Sequence, residues 1–77
     1  MTHVYHDTLA QFKAATSGVQ VIRLNGVKDF FDIANWFEAN LFGVAHNHET
    51  AAGCYLIAFE DKNDEFMFML KYSEYVV

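Results

Sequence analysis

The apolar positions of the chain recur with two different periods. Tyr5, Thr8, Leu9, Phe12 and Ala15 fall at i, i+3, i+4, i+7 and i+10, so "HVYHDTLAQFKAAT" predicts a helix. Thr2 is placed to cap its start, and Ser17–Gly18 supplies a stop. "VQVIRL" is short and β-branched and lies between Gly18 and the turn pair Asn25–Gly26, which predicts a strand. From Val27 to Phe42 the helical period returns. Val27, Phe30, Phe31, Ala34, Phe37 and Leu41 share one face, opposite Lys28, Asp32, Asn35 and Ala39. Asn25 is a suitable N-cap, Asp29 suits the first turn and Gly43 ends the segment. Two large residues fall off this stripe: Trp36 lies about 140° from its centre and Phe42 about 100°.

The remainder reads as loop and hairpin. "AHNHET" is polar and predicts a solvated connection. "GCYLIAFE" and "EFMFMLKY" flank "DKND" and predict two antiparallel strands around a charged turn. In the first, Tyr55, Ile57 and Phe59 oppose Cys54, Leu56 and Ala58. In the second, Phe66, Phe68, Leu70 and Tyr72 oppose Met67, Met69 and Lys71. Neither strand has a polar face, so both sides of the hairpin need cover, from the helices or from another molecule. The expectation is a single α+β domain over residues 1–77, in the order α-β-α-β-β. A mainly antiparallel three-stranded sheet would pack with two helices.

Composition adjusts this picture. A 77-residue chain buries only about 60% of its unfolded surface, yet 53% of these residues are apolar and 17% aromatic. That is more apolar surface than one small core can hide. The single cysteine, Cys54, excludes an internal disulfide and suits a reducing compartment. No signal-like or membrane-spanning apolar run is present, so a soluble, cytoplasmic protein is expected. The net charge is −5, and Lys13, Arg23, Lys28, Lys62 and Lys71 stand apart from one another. Nucleic-acid backbones are held by clustered bases, so direct nucleic-acid binding is not expected, nor is membrane binding.

The candidate chemistry is sparse. In extended backbone His46 and His48 would face the same way, and with Glu49 and either His3 or His6 they form the one metal-binding alternative. No HExxH or CxxC pair completes that set, and a polar loop accounts for it more simply. "EDKNDE" begins like a calcium loop, but Phe66 and Tyr72 occupy the positions that need glycine and a bidentate glutamate. Cys54 sits among apolar neighbours with no oxyanion hole or triad partner marked nearby. No catalytic residue, metal site or cofactor is assigned, and the chain is read as a non-enzyme.

The residues left without a role point to an interface. Trp36, Phe42, Met67 and Met69 are large, apolar and misplaced for a one-core layout, and Trp and Met are enriched at protein contacts. Asp29, Asp32, Asp61, Asp64 and Glu65 supply an acidic rim, which could also mimic a nucleic acid toward a basic groove. In general style (short, acidic, aromatic-rich, free of motifs) the chain is similar to small accessory proteins of bacteriophages and mobile elements. That resemblance implies a binding protein that blocks a host protein, such as a defence or nucleic-acid-processing enzyme. The expected function is therefore regulation or inhibition of a protein partner. A structural homodimer is the compatible alternative.

Overall fold

A computed structural model describes residues 3–77 of the chain. It is an α+β domain with a four-stranded mixed sheet and three α-helices. In chain order these are β1 His3–Tyr5, α1 Leu9–Ala15, β2 Val21–Leu24, α2 Phe30–Asn40, β3 Ala45–Ala51, β4 Cys54–Phe59 and α3 Lys62–Tyr72. A short 3-10 turn, Ser73–Tyr75, follows. The sheet order is β1-β3-β4-β2, with β1 parallel to β3 and the other pairings antiparallel. The expected α-β-α-β-β order and three-stranded sheet are thus corrected to β-α-β-α-β-β-α and four strands.

The single helix expected at the start divides in two. His3–Tyr5 pairs with Ala45–Asn47 as a strand. Thr8 then opens α1 through a capping box: its hydroxyl accepts from Gln11 N at 3.1 Å, and the Gln11 side chain accepts from Thr8 N. The suggested cap Thr2 lies outside the described residues. Apart from Phe12, the apparent stripe faces water, with Tyr5 at 52% and Leu9 at 41% exposure. β2 and α2 form within the segments their patterns mark, but the buried face of α2 is turned from the predicted stripe: Ile33, off that stripe, is 0% exposed, and Phe31, on it, is 80% exposed. Asp29 rather than Asn25 caps α2, its carboxylate accepting from Phe31 N at 3.0 Å.

Two corrections matter most for function. "AHNHET" is β3, a central strand and not a loop, joined to β4 by a turn in which Gly53 takes φ +76°. "EFMFMLKY" is helix and not strand, and "DKND" supplies its cap and first turn. The Asp61 carboxylate accepts from Asn63 N at 2.8 Å and from Asp64 N at 3.1 Å. No β-branched residue occurs between Lys62 and Tyr72, and Lys71 sits in the last turn, both favourable to a helix.

The main core lies between one sheet face and helices α2 and α3. Ile22, Leu24, Ala45, Ile57 and Phe59 meet Ile33 and Phe37 from α2 and Phe68 and Tyr72 from α3. Its centre is aromatic. Phe68 packs on Trp36, Phe37, Phe59 and Tyr72 at ring separations of 5.7, 5.8, 5.1 and 5.0 Å. The opposite face carries His46, His48, Leu56 and Ala58 and is covered in part by α1, whose Phe12 is 1% exposed. At the outer edge of β2, the chain end pairs back: Asn25 N donates to Tyr75 O and Val77 N to Arg23 O.

Candidate functional site

Helix α3 turns two unlike faces outward and inward. Asp64, Phe68 and Tyr72, at i, i+4 and i+8, are buried. Phe66, Met69 and Leu70 lie at i, i+3 and i+4 on the other side, with Met67 beside them, and are 60, 36, 64 and 48% exposed respectively. Phe42 is 84% exposed, and its backbone N–H bonds to the Asp64 carboxylate, so its ring stands at the start of the same helix. Phe66 and Leu70 were not among the expected contacts. In a strand they share a face with Phe68 and Tyr72, opposite Met67 and Met69, and only the helical period turns them outward.

Trp36 occupies a different position from the other apolar candidates. It is part-buried in the seam between α2 and α3, with rings of Phe37, Phe68 and Tyr72 at 6.1, 5.7 and 6.1 Å. The acidic candidates each make an internal contact. Asp29 and Asp61 cap α2 and α3. The Asp32 carboxylate accepts from the Tyr72 hydroxyl at 3.0 Å, and burial, then this bond, pushes that hydroxyl's pKa up to about 12. Asp64 accepts from the Phe42 and Gly43 amides, the latter at 2.8 Å. Glu65 lies 3.8 Å from Lys62, a surface pair of little energetic weight.

The histidines form a second constellation, on the opposite side of the sheet. The half-exposed Glu60 carboxylate accepts from His46 Nε2 at 2.7 Å. With His46 neutral, that bond leaves its Nδ1 unprotonated, to accept from His6 Nε2–H at 2.9 Å. His48 Nδ1–H donates to the His6 carbonyl at 2.9 Å. His46 and His48 can therefore occupy a central strand because their neighbours satisfy them, and the network ties the end of β1 to β3. Chemically it can hold one proton and pass it between Glu60 and the open Nδ1 of His6. Both His46 nitrogens are engaged, and among the described residues no group of three His, Cys, Asp or Glu side chains is placed to hold a metal ion.

Two histidines, His6 in this network and His3 on the core side of the sheet, make stability depend on pH. The His6 pKa is lowered by burial and then by His46 and His48. The His3 pKa is lowered by burial among Phe30 and Phe37, with Glu38 opposing and His46 reinforcing the shift. A lowered folded-state value means that the unfolded chain binds protons first. Stability is then fullest above the ordinary value of 6.5 and drains as the pH falls through it toward the folded values. The melting temperature should fall between about pH 7.5 and about pH 5.5, a window above most carboxylate titration. Replacing His3 by Phe should flatten that fall, as calorimetry at each pH would show. A melting temperature that is level or rising toward acid would contradict it.

No helix among the described residues is long and apolar enough to cross a membrane. No protein-family model matches the chain, and no curated protein or solved structure matches it either.

Proposed function

We propose that the protein is a non-catalytic binding module that engages a protein partner through the outer face of α3. Phe42, Phe66, Met67, Met69 and Leu70 form the contact, and Trp36 supports it from the α2–α3 seam. One observation carries the reading: four large apolar side chains on one short helix, Phe66, Met67, Met69 and Leu70, stand 36–64% exposed. Contiguous apolar surface of this kind marks interaction sites, and Phe and Met are enriched in them. The role is regulation or inhibition of that partner, as in the bacteriophage and mobile-element accessory proteins that the chain resembles in style. A nucleic-acid-processing enzyme fits the acidic balance of the chain, ten acids against five bases.

The test is capture from a lysate of the cells that make the protein, comparing wild type with Phe66→Ser/Leu70→Ser. Both side chains are largely exposed, so the pair should cost little stability and leave the far-UV CD spectrum unchanged. Wild type should retain a specific protein, and the variant should bind it at least tenfold more weakly. Retention by the variant equal to that of wild type would remove α3 from the contact.

A further inference from the structure

The second sheet face has an empty berth the width of one helix. Four strands at about 4.8 Å spacing span about 14 Å, which accommodates two helices at 8–10 Å separation. On the core face α2 and α3 occupy both places. On the other face α1 packs chiefly on β3. Past Ala58, which is fully buried, the part of this face over Leu56, Val21 and Arg23 is open, with Val21 41% exposed and Leu56 part-exposed. Two hollows of about 500 and 530 Å³ lie there, and both are lined by Lys13, Arg23, Leu56 and Val77, so they run together into one groove. Leu9 adds an apolar wall from α1, and Met69 another from α3.

The charge of this groove runs against the charge of the protein. The chain carries ten acids, yet no Asp or Glu lines either hollow, whereas two of its five Lys and Arg residues line both. Among the described residues neither the Lys13 nor the Arg23 side chain has a hydrogen-bond or ion-pair partner. An elongated, open groove with an apolar floor and unpaired cations suits a helix laid lengthwise better than an enclosed small molecule. We infer that this berth receives an amphipathic helix of a partner protein, with its apolar side on Leu56 and Val21 and flanking Asp or Glu meeting Lys13 and Arg23. The floor of the berth is the opposite sheet face from α3; Met69 is shared with the contact proposed for that helix, whereas Lys13, Val21, Arg23 and Leu56 belong to the berth alone.

The probe is a synthetic helix of about 15 residues, with leucines on one side and glutamates on the other, titrated into the full chain and followed by amide NMR. A second peptide has lysines in place of the glutamates. The acidic peptide should give saturable shifts concentrated at Lys13, Val21, Arg23 and Leu56, and the basic one at least tenfold weaker binding. Lys13→Glu/Arg23→Glu, two exposed positions, should reverse that preference with an unchanged CD spectrum. Leu56→Ala should weaken binding of the acidic peptide severalfold. The inference is overturned by no saturable shift up to about 1 mM peptide. Equal binding of the two peptides would also overturn it, as would shifts centred on α3. Concentration-dependent shifts at the groove in the protein alone would assign the berth to a second copy instead, and would likewise overturn it.

Discussion

Phe68→Ala should remove most of the protein's stability, whereas Phe66→Ala, two residues away, should hardly change it. Phe68 is 0% exposed and touches four other aromatic rings; Phe66 is 60% exposed. Truncating a buried phenylalanine costs about 3–5 kcal/mol, through lost transfer energy and the cavity left behind. At about 0.05–0.15 kcal/mol per residue, a chain this size has only about 4–12 kcal/mol in total. The exposed substitution should stay within about 0.5 kcal/mol. Urea denaturation of both variants measures the difference. The pair also tests the helix itself. In a strand, residues 66 and 68 share a face; in a helix they lie about 200° apart. Equal losses from both substitutions would mean that the segment is not the helix described.

Asp64→Ala should be the next most damaging change. Asp64 is 2% exposed, on the inner side of the first turn of α3. Its two oxygens accept from Phe42 N at 3.1 Å and from Gly43 N at 2.8 Å, so it stitches the α2–β3 connection to α3. Alanine leaves both amides without these acceptors. Hydrogen bonds to a charged group contribute about 1.5–3 kcal/mol each, and a loss of about 2–4 kcal/mol is expected once partial hydration is allowed for. For a domain of this length that corresponds to roughly 10–25 °C in melting temperature. Asp64→Asn keeps one acceptor oxygen and should lose roughly half as much. The same close approach of the chain to the start of α3 accounts for Gly43, where an added Cβ would lie 2.9 Å from the Asp61 Cβ. A melting temperature for Asp64→Ala within about 3 °C of wild type would show that the stitch contributes little.

Those two residues also show where the sequence is legible and where it is not. The α+β class, β2 and β4 follow from local pattern, because one face of each strand carries large buried residues, Ile22 and Leu24 or Ile57 and Phe59. α2 is legible as a helix, but its buried face, Ile33 and Phe37, is turned from the predicted stripe, whose Phe31 is 80% exposed. In α3 the pattern misleads. Its inner face contains a carboxylate, Asp64, beside Phe68 and Tyr72, and its outer face contains Phe66 and Leu70, so apolar residues stand on both sides of the helix and no single stripe marks it. The alternation of Phe66, Phe68, Leu70 and Tyr72 then reads as a strand. The better signals were the capping aspartate at Asp61, the first-turn acids Asp64 and Glu65, and the lack of β-branched residues.

β3 misleads for a related reason. His46, Asn47 and His48 are buried at 7, 0 and 9% exposure, and polar letters are read as solvent contact. The partners that satisfy the two histidines, His6 and Glu60, are 40 and 14 residues from His46 along the chain, so no local window contains the bonds. The sequence places Met67 and Met69 on the second face of a strand, whereas they are exposed on the outer part of a helix. Trp36 was misplaced on the helical wheel, and its off-stripe angle is explained by α3, which packs against that side of α2. Asn47 is a residue for which the structure offers no account: its side-chain amide is buried with both polar atoms unpartnered.

The central claim is that α3 presents its apolar outer face to another protein, and methyl NMR of the methionines tests it most directly. Met67 and Met69 lie on that face, and the third methionine, Met1, stands far from them in sequence. On adding the protein captured by wild type, the Met67 and Met69 methyl signals should shift or broaden, and the Phe66→Ser/Leu70→Ser variant should show no change. Methionine signals that stay in place while amides elsewhere in the chain move would contradict the claim and put the contact on another surface.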